Sequence, residues 1–184
     1  ITGMTLSGST IGGAATGVFN IAASGLIISE STTNTINRST FTVTGPTTVN
    51  GTLIFGNATG TKTFIGLITN NGTWTNSANS AITLRGGITN NGTFTSGTGT
   101  HTFSTSNQAI GGTNAITFSG AVAISGAITV TNNSNVTITG ALTGTVAGST
   151  WINATNSHLT ANGAVLATGT LTATAAGNTV KYSL

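Results

Sequence analysis

The chain alternates. Segments such as AITV at 127–130 and NVTITG at 135–140 set Ile or Val on one side and Thr on the other, the period-two pattern of a half-buried strand. These segments run four to seven residues, and glycine or asparagine punctuates them. Helices are disfavoured because β-branched residues lose side-chain freedom there and Gly, Ser and Asn add to the penalty. The pattern predicts an all-β chain.

Repetition sharpens that expectation. ITNNGTWT at Ile68 to Thr75 returns as ITNNGTFT at Ile88 to Thr95, an offset of 20, and TVNGTLI from Thr48 is a degenerate earlier copy. TGTKTF at 59–64 returns as TGTHTF at 98–103, and Gly-Thr landmarks fall at 51, 72, 92 and 112. Later in the chain Gly120-Ala121-Val122, Gly126-Ala127-Ile128 and Gly140-Ala141-Leu142 keep one order of glycine, small residue and apolar residue.

Two all-β architectures fit. Asn-Gly at 50–51, 71–72, 91–92 and 162–163, flanked by alternation, is a hairpin signal and points to an antiparallel β-sandwich with donor-strand exchange. In a parallel β-solenoid, or β-helix, the same glycines are corners turned through a left-handed conformation. Stacked coils superpose by translation, so equivalent residues recur at a fixed step, as Ile68/Ile88, Asn71/Asn91 and Trp74/Phe94 do. The favoured expectation is therefore a parallel β-solenoid of roughly 20-residue coils, about nine of them in a rod on the order of 45 Å long. Residues 1–184 read as a single β domain, with 1–29 as an atypical first coil or an assembly arm.

Composition removes many functions. Of 184 residues, four are Lys or Arg and one is acidic, a 3% charged fraction where soluble proteins usually carry about 25%. A 37% hydrophobic content with one proline, Pro46, argues against disorder, and the absence of cysteine excludes disulfides and thiolate metal sites. The chain opens ITGM without a signal-peptide pattern, so a secreted protein would be in its processed form; no apolar run of about 18 residues predicts a membrane span. The pI near 10.3 rests on Arg38, Lys62, Arg85 and Lys181, scattered singly, which predicts no nucleic-acid partner. So little charge also lets identical subunits pack closely.

ITNNGTFTSGTGTHTF, AITFSGAVAISGAITVTNNSNVTITG and GTLTATAAGNTVKYS resemble the β-strand-repeat regions of large secreted bacterial surface proteins, adhesin-like or autotransporter-associated, over about Thr47 to Leu184. The resemblance implies a prokaryotic protein, extracellular or at the cell surface, with a parallel β-helix and a structural or adhesive role. It brings no catalytic residues with it.

Enzymatic activity is not expected. Sugar hydrolysis needs two carboxyl groups, and Glu30 is the one acidic side chain. A Ser or Thr nucleophile needs a histidine with an orienting acid, for which His101 and His158 are the candidates; two histidines and one carboxylate also make a poor metal shell. No cofactor is expected. His101 takes the repeat position of Lys62, which reads as an exposed, variable position. Lys62, Arg85 and His101 are thus expected outside, and Leu53, Phe64, Trp74, Leu84, Phe94, Phe103 and Phe118 inside. Glycosylation sequons begin at Asn37, Asn50, Asn57, Asn71, Asn91, Asn132, Asn135 and Asn153, close to the number chance would produce at this composition.

The function expected is a structural subunit of an extracellular, self-assembling filament, with itself as partner. Both ends, ITGMTL and NTVKYSL, alternate like strands. Ile1, Met4, Leu6, Leu26, Ile27 and Ile28 at one end and Leu171, Val180, Tyr182 and Leu184 at the other are the candidate assembly residues. One alternative is an adhesin stalk or surface-binding module gripping surface glycans through Trp74 or Trp151. Another is an ice-binding solenoid, suggested by 15 Thr-X-Thr triplets, although Thr52-Leu53-Ile54 interrupts the aligned pairs Thr73/Thr75 and Thr93/Thr95.

Overall fold

The computed structural model describes residues 1–12 and 18–183. They hold twenty-five strands of two to four residues and no helix. Every strand pairing is parallel, which removes the antiparallel sandwich. The chain winds as three-sided coils. One coil consists of Ile68–Asn70 on a first face, Thr73–Thr75 on a second and Ala81–Leu84 on a third; the next lays Ile88–Asn90, Thr93–Thr95 and His101–Ser104 on top of them.

The first face is a nine-stranded ladder from Gly3–Leu6 to Thr170–Thr172, and the third a seven-stranded one from Val18–Ile21 to Leu142–Gly144, continued by a bridge between Leu142 and Val165. The second face is in two pieces, five strands ending at Thr93–Thr95 and four beginning at Ile116–Phe118. The result is a β-solenoid of about eight coils of about 21 residues. Equivalent residues on the first face, Met4, Leu26, Thr47, Ile68, Ile88 and Ile110, are 20 to 22 positions apart. Nine strands at about 4.8 Å make the rod on the order of 38 Å long.

The opening residues obey the same winding with longer steps. Gly3–Leu6 pairs with Gly25–Ile28, Thr10–Ile11 with Thr33–Ile36, and Val18–Ile21 with Thr40–Val43. They form the first coil and the start of the second, and the 22-residue step explains why a 20-residue grid fits them poorly.

Alternation fills the interior. Leu53, Phe64, Trp74, Leu84, Phe103 and Phe118 are buried as expected, and Phe55, Phe64 and Trp74 pack into an aromatic cluster with ring centroids 4.7 to 6.1 Å apart. Phe94 stacks on Trp74 at 5.8 Å but is only half-buried, because its strand is the last of its ladder.

The corner glycines were expected for the wrong reason. Gly51, Gly72, Gly92 and Gly163 do not have positive φ. What they lack is room: a Cβ on Gly51, Gly72 or Gly92 would stand 2.0 to 2.1 Å from a carbonyl oxygen of the coil beneath. Beside them Asn50, Asn71 and Asn91 form the expected ladder up the edge, Asn91 Nδ2 donating to Asn71 Oδ1 and Asn71 Nδ2 to Asn50 Oδ1, both at 3.0 Å. A second, interior ladder was not foreseen. Asn70 donates to Asn90, and Asn132 to Asn153, both at 2.8 Å and fully buried.

Candidate functional site

The chain's few reactive side chains are dispersed. Among the described residues no three His, Asp or Glu side chains gather, no cavity opens, and no helix is long and apolar enough to cross a membrane. His158 is exposed on the second face against the Thr179 hydroxyl. Glu30 is exposed at a corner of the second coil.

Lys62 and His101 overturn the expected exposure, for both are completely buried. They share one inward column, Phe41, Lys62, Ile82, His101, Val122, because each lies two residues before an inward phenylalanine, Phe64 or Phe103. Lys62 Nζ curls back to donate to Ser39 O at 2.9 Å and Thr59 O at 2.8 Å, and burial pushes its pKa below the ordinary lysine value. His101 Nδ1 lies 3.1 Å from Gly99 O, while Nε2 has no partner. Burial pulls its pKa down to about 4, against a smaller upward contribution from the Gly99 hydrogen bond. Arg85, also expected outside, is half-buried at the end of its strand with Nε unpartnered.

The sequon asparagines divide. Asn132 and Asn153 have their Nδ2 atoms inside the rod, bonded to Asn153 Oδ1 and His158 O, and to Ser157 O and Thr179 O, respectively. Asn37, Asn50, Asn57, Asn71, Asn91 and Asn135 lie at the surface, but Asn71 and Asn91 spend their Nδ2 on the edge ladder.

The candidate assembly residues also divide. Leu26 and Ile28 are buried in a strand paired on both sides, so the neighbours they needed are the first and third coils of their own chain; Ile27 points outward. Leu6 is buried and Met4 partly so in the end coil, with Ile1 exposed beside them. At the other end, Val180 and Tyr182 continue the inward columns of Val136–Leu159 and Ile138–Ala161. They are nevertheless 38% and 52% exposed, since no coil among the described residues lies over them; Leu171 is half-buried. Leu184 lies outside the described residues.

Along the sides, the outer surface of the third face is regular. Thr42, Thr63, Thr83 and Thr102 are register partners, followed by Ala123 and Thr143. A flanking column holds Thr40, Thr61, Ala81, Thr100, Ala121 and Ala141. Neither column carries a charge. The fourfold Thr column was missed because it joins triplets with dissimilar neighbours. Trp74 and Trp151, the possible aromatic platforms, are both fully buried.

No protein family, curated protein sequence or solved structure matches this chain.

Proposed function

We propose that the protein is a structural subunit of an extracellular prokaryotic filament, in which coil stacks on coil from one copy to the next. The observation that carries this reading is the stacking itself: coil lies on coil in parallel register along the described rod, so a coil of a second copy can continue its inward columns and strand edges. Val180 and Tyr182 at one end, and Ile1 with half-buried Met4 and Phe19 at the other, occupy or adjoin places that a further coil would cover. Strand edges accompany them: Gly3–Leu6 and Thr170–Thr172 each pair on one side within the described residues. Because every coil repeats the last by translation, the two ends are complementary in chain direction. A contact between unlike ends propagates without closing. Extracellular placement is supported by the resemblance of the repeats and by the scarcity of charge.

Light scattering and negative-stain microscopy of the purified 184-residue chain test the proposal. Filaments or open-ended oligomers whose axial step matches one rod support it. A chain that stays monomeric at high concentration overturns it.

The Thr/Ala grid of the third face favours a second reading, a surface that binds ice. Strands about 4.8 Å apart, with side chains repeating every second residue at about 6.6 Å, form a two-dimensional array of hydroxyl and methyl groups. Inhibition of ice recrystallisation that is lost in Thr63→Tyr and Thr83→Tyr would establish it, and inactivity of the native chain would dismiss it.

A further inference from the structure

Among the described residues, the second face is broken within the rod while its two neighbours run past the same level unbroken. Thr93 N–H donates to Gly72 O at 2.8 Å and Thr95 O accepts from Asn76 N–H at 2.9 Å, so both residues bond to the coil below. By the alternation of a parallel ladder, the Phe94 N–H and C=O then point at the coil above. There Phe118 O accepts from Thr139 N–H at 2.9 Å, so Phe118 faces away, and Thr117 presents its backbone groups to Phe94. No strand ladder joins Thr93–Thr95 to Ile116–Phe118, although the two lie side by side. Side chains tie the margins: Asn114 Nδ2 donates to Asn91 O at 3.0 Å and Gly92 O at 3.1 Å, and Ser119 N–H to Ser96 Oγ at 2.8 Å. On the first face Ile88 pairs with Ile110, and on the third His101 N–H bonds Ala121 O at 3.0 Å.

His101 lies directly behind this gap. Its ring centroid is 5.0 Å from that of Phe118 and 6.2 Å from that of Phe94, one on each side of the break. Nδ1 donates to Gly99 O, so a second proton must go to Nε2, which is buried without an acceptor. A charged imidazolium there needs water or a carbonyl as acceptor, and parting the two strands, with half-buried Phe94 at their margin, would give it one.

We infer that the break between Thr93–Thr95 and Ile116–Phe118 is an acid-operated slit: proton uptake by His101 parts these two strands while the first and third faces stay zipped. The groups facing His101 are Ile82 and Val122 from the strands below and above, Phe94 and Phe118 across the gap, and the Gly99 carbonyl. None of them can neutralise a charge. The nearest ionisable group in the column is Lys62, two coils below, a like charge directed at Ser39 O and Thr59 O; Arg85, also cationic, follows the strand containing Ile82. Burial holds the His101 pKa at about 4 against an ordinary 6.5, so opening is favoured progressively as the pH falls through that interval and the slit is closed at neutral pH. Acid then bares two strand edges and an aromatic pair in the middle of the rod.

Amide hydrogen exchange of the full chain, followed residue by residue from pH 7 to pH 3.5 and corrected for intrinsic rates, tests the slit. Protection of residues 93–95 and 116–118 is expected to fall by up to about tenfold per pH unit between the ordinary histidine value of 6.5 and the buried value of about 4 and then to level off, while Ile88–Asn90, Gln108–Gly111, His101–Ser104 and Val122–Ser125 keep theirs. His101→Leu, which matches the aliphatic neighbours of the column, is expected to abolish the acid effect; His101→Gln, non-titrating and able to donate to Gly99, serves if the leucine variant does not fold. Acid-insensitive protection at the slit, an equal loss in the substituted chains, or simultaneous loss on all three faces would each overturn the inference.

Discussion

Alanine at Gly72 probes the stacking directly. Its Cβ would sit 2.1 Å from Gly51 O and 2.6 Å from Asn50 O, where ordinary contact begins near 3.4 Å. The corner would have to rise by about 1.3 Å to accommodate the methyl group, yet it is pinned by Asn71 N–H and Gly72 N–H to Val49 O at 2.8 and 2.9 Å and by Thr73 N–H to Gly51 O at 2.8 Å. Loosening three such bonds, each worth about 1 kcal/mol net, puts the cost near 3 kcal/mol, at the upper end of overpacking penalties. For a chain of this size that is a drop in Tm of about 9 °C. Two other glycines separate crowding from backbone conformation. Gly126 has φ +98 but nothing within 4 Å of a Cβ, so Gly126→Ala should cost about 1–2 kcal/mol from conformation alone. Gly111 has neither constraint, and Gly111→Ala should stabilise by about 0.5 kcal/mol. Urea and thermal unfolding of the three variants should rank them Gly72, Gly126, Gly111 in decreasing damage. If Gly72→Ala proved as benign as Gly111→Ala, the coil-on-coil contact at this corner would be wrong.

The buried cation and the interior amides give two further expectations. Because burial lowers the Lys62 pKa, the unfolded chain binds the extra proton between the folded value and 10.5, so stability should rise with pH across that window; Lys62→Met should raise the urea midpoint at pH 7 and flatten the rise. Asn90→Ala, which strips an acceptor from buried Asn70 and a donor from the Ala115 carbonyl, should cost about 2 kcal/mol, whereas Asn91→Ala on the exposed ladder should cost under about 1 kcal/mol by the same unfolding measurement.

The winding was legible wherever the sequence repeats itself. Ile68/Ile88 and Trp74/Phe94 are register partners at the offset the sequence shows, and the edge asparagines stack as their spacing implies. Lys62 and His101 were misread although the information was present: in TKTF and HTFS the ionisable residue is two positions from phenylalanine, and strand parity puts both on one face. Charge type and strand parity point opposite ways at these positions, and parity prevails because corner carbonyls reach the Lys62 ammonium inside the rod. The interior Asn ladder was hidden for a related reason, since Asn70 and Asn71 are adjacent and look alike while one turns inward and the other outward. The slit could not be read, because it depends on where two neighbouring strands form no ladder between two unlike corners.

The continuous winding has a mechanical consequence. Hydrogen bonds between coils run along the rod, so a pull between its ends loads together the bonds of every ladder that spans a given coil junction. Consecutive coils are also consecutive in sequence, so a terminal coil can peel away while the remainder stays folded. Each such event releases about 21 residues, or roughly 70 Å of extended chain in exchange for about 5 Å of rod. Under tension the molecule would lengthen in even increments and take up slack again on relaxation, since the exposed coil keeps its template.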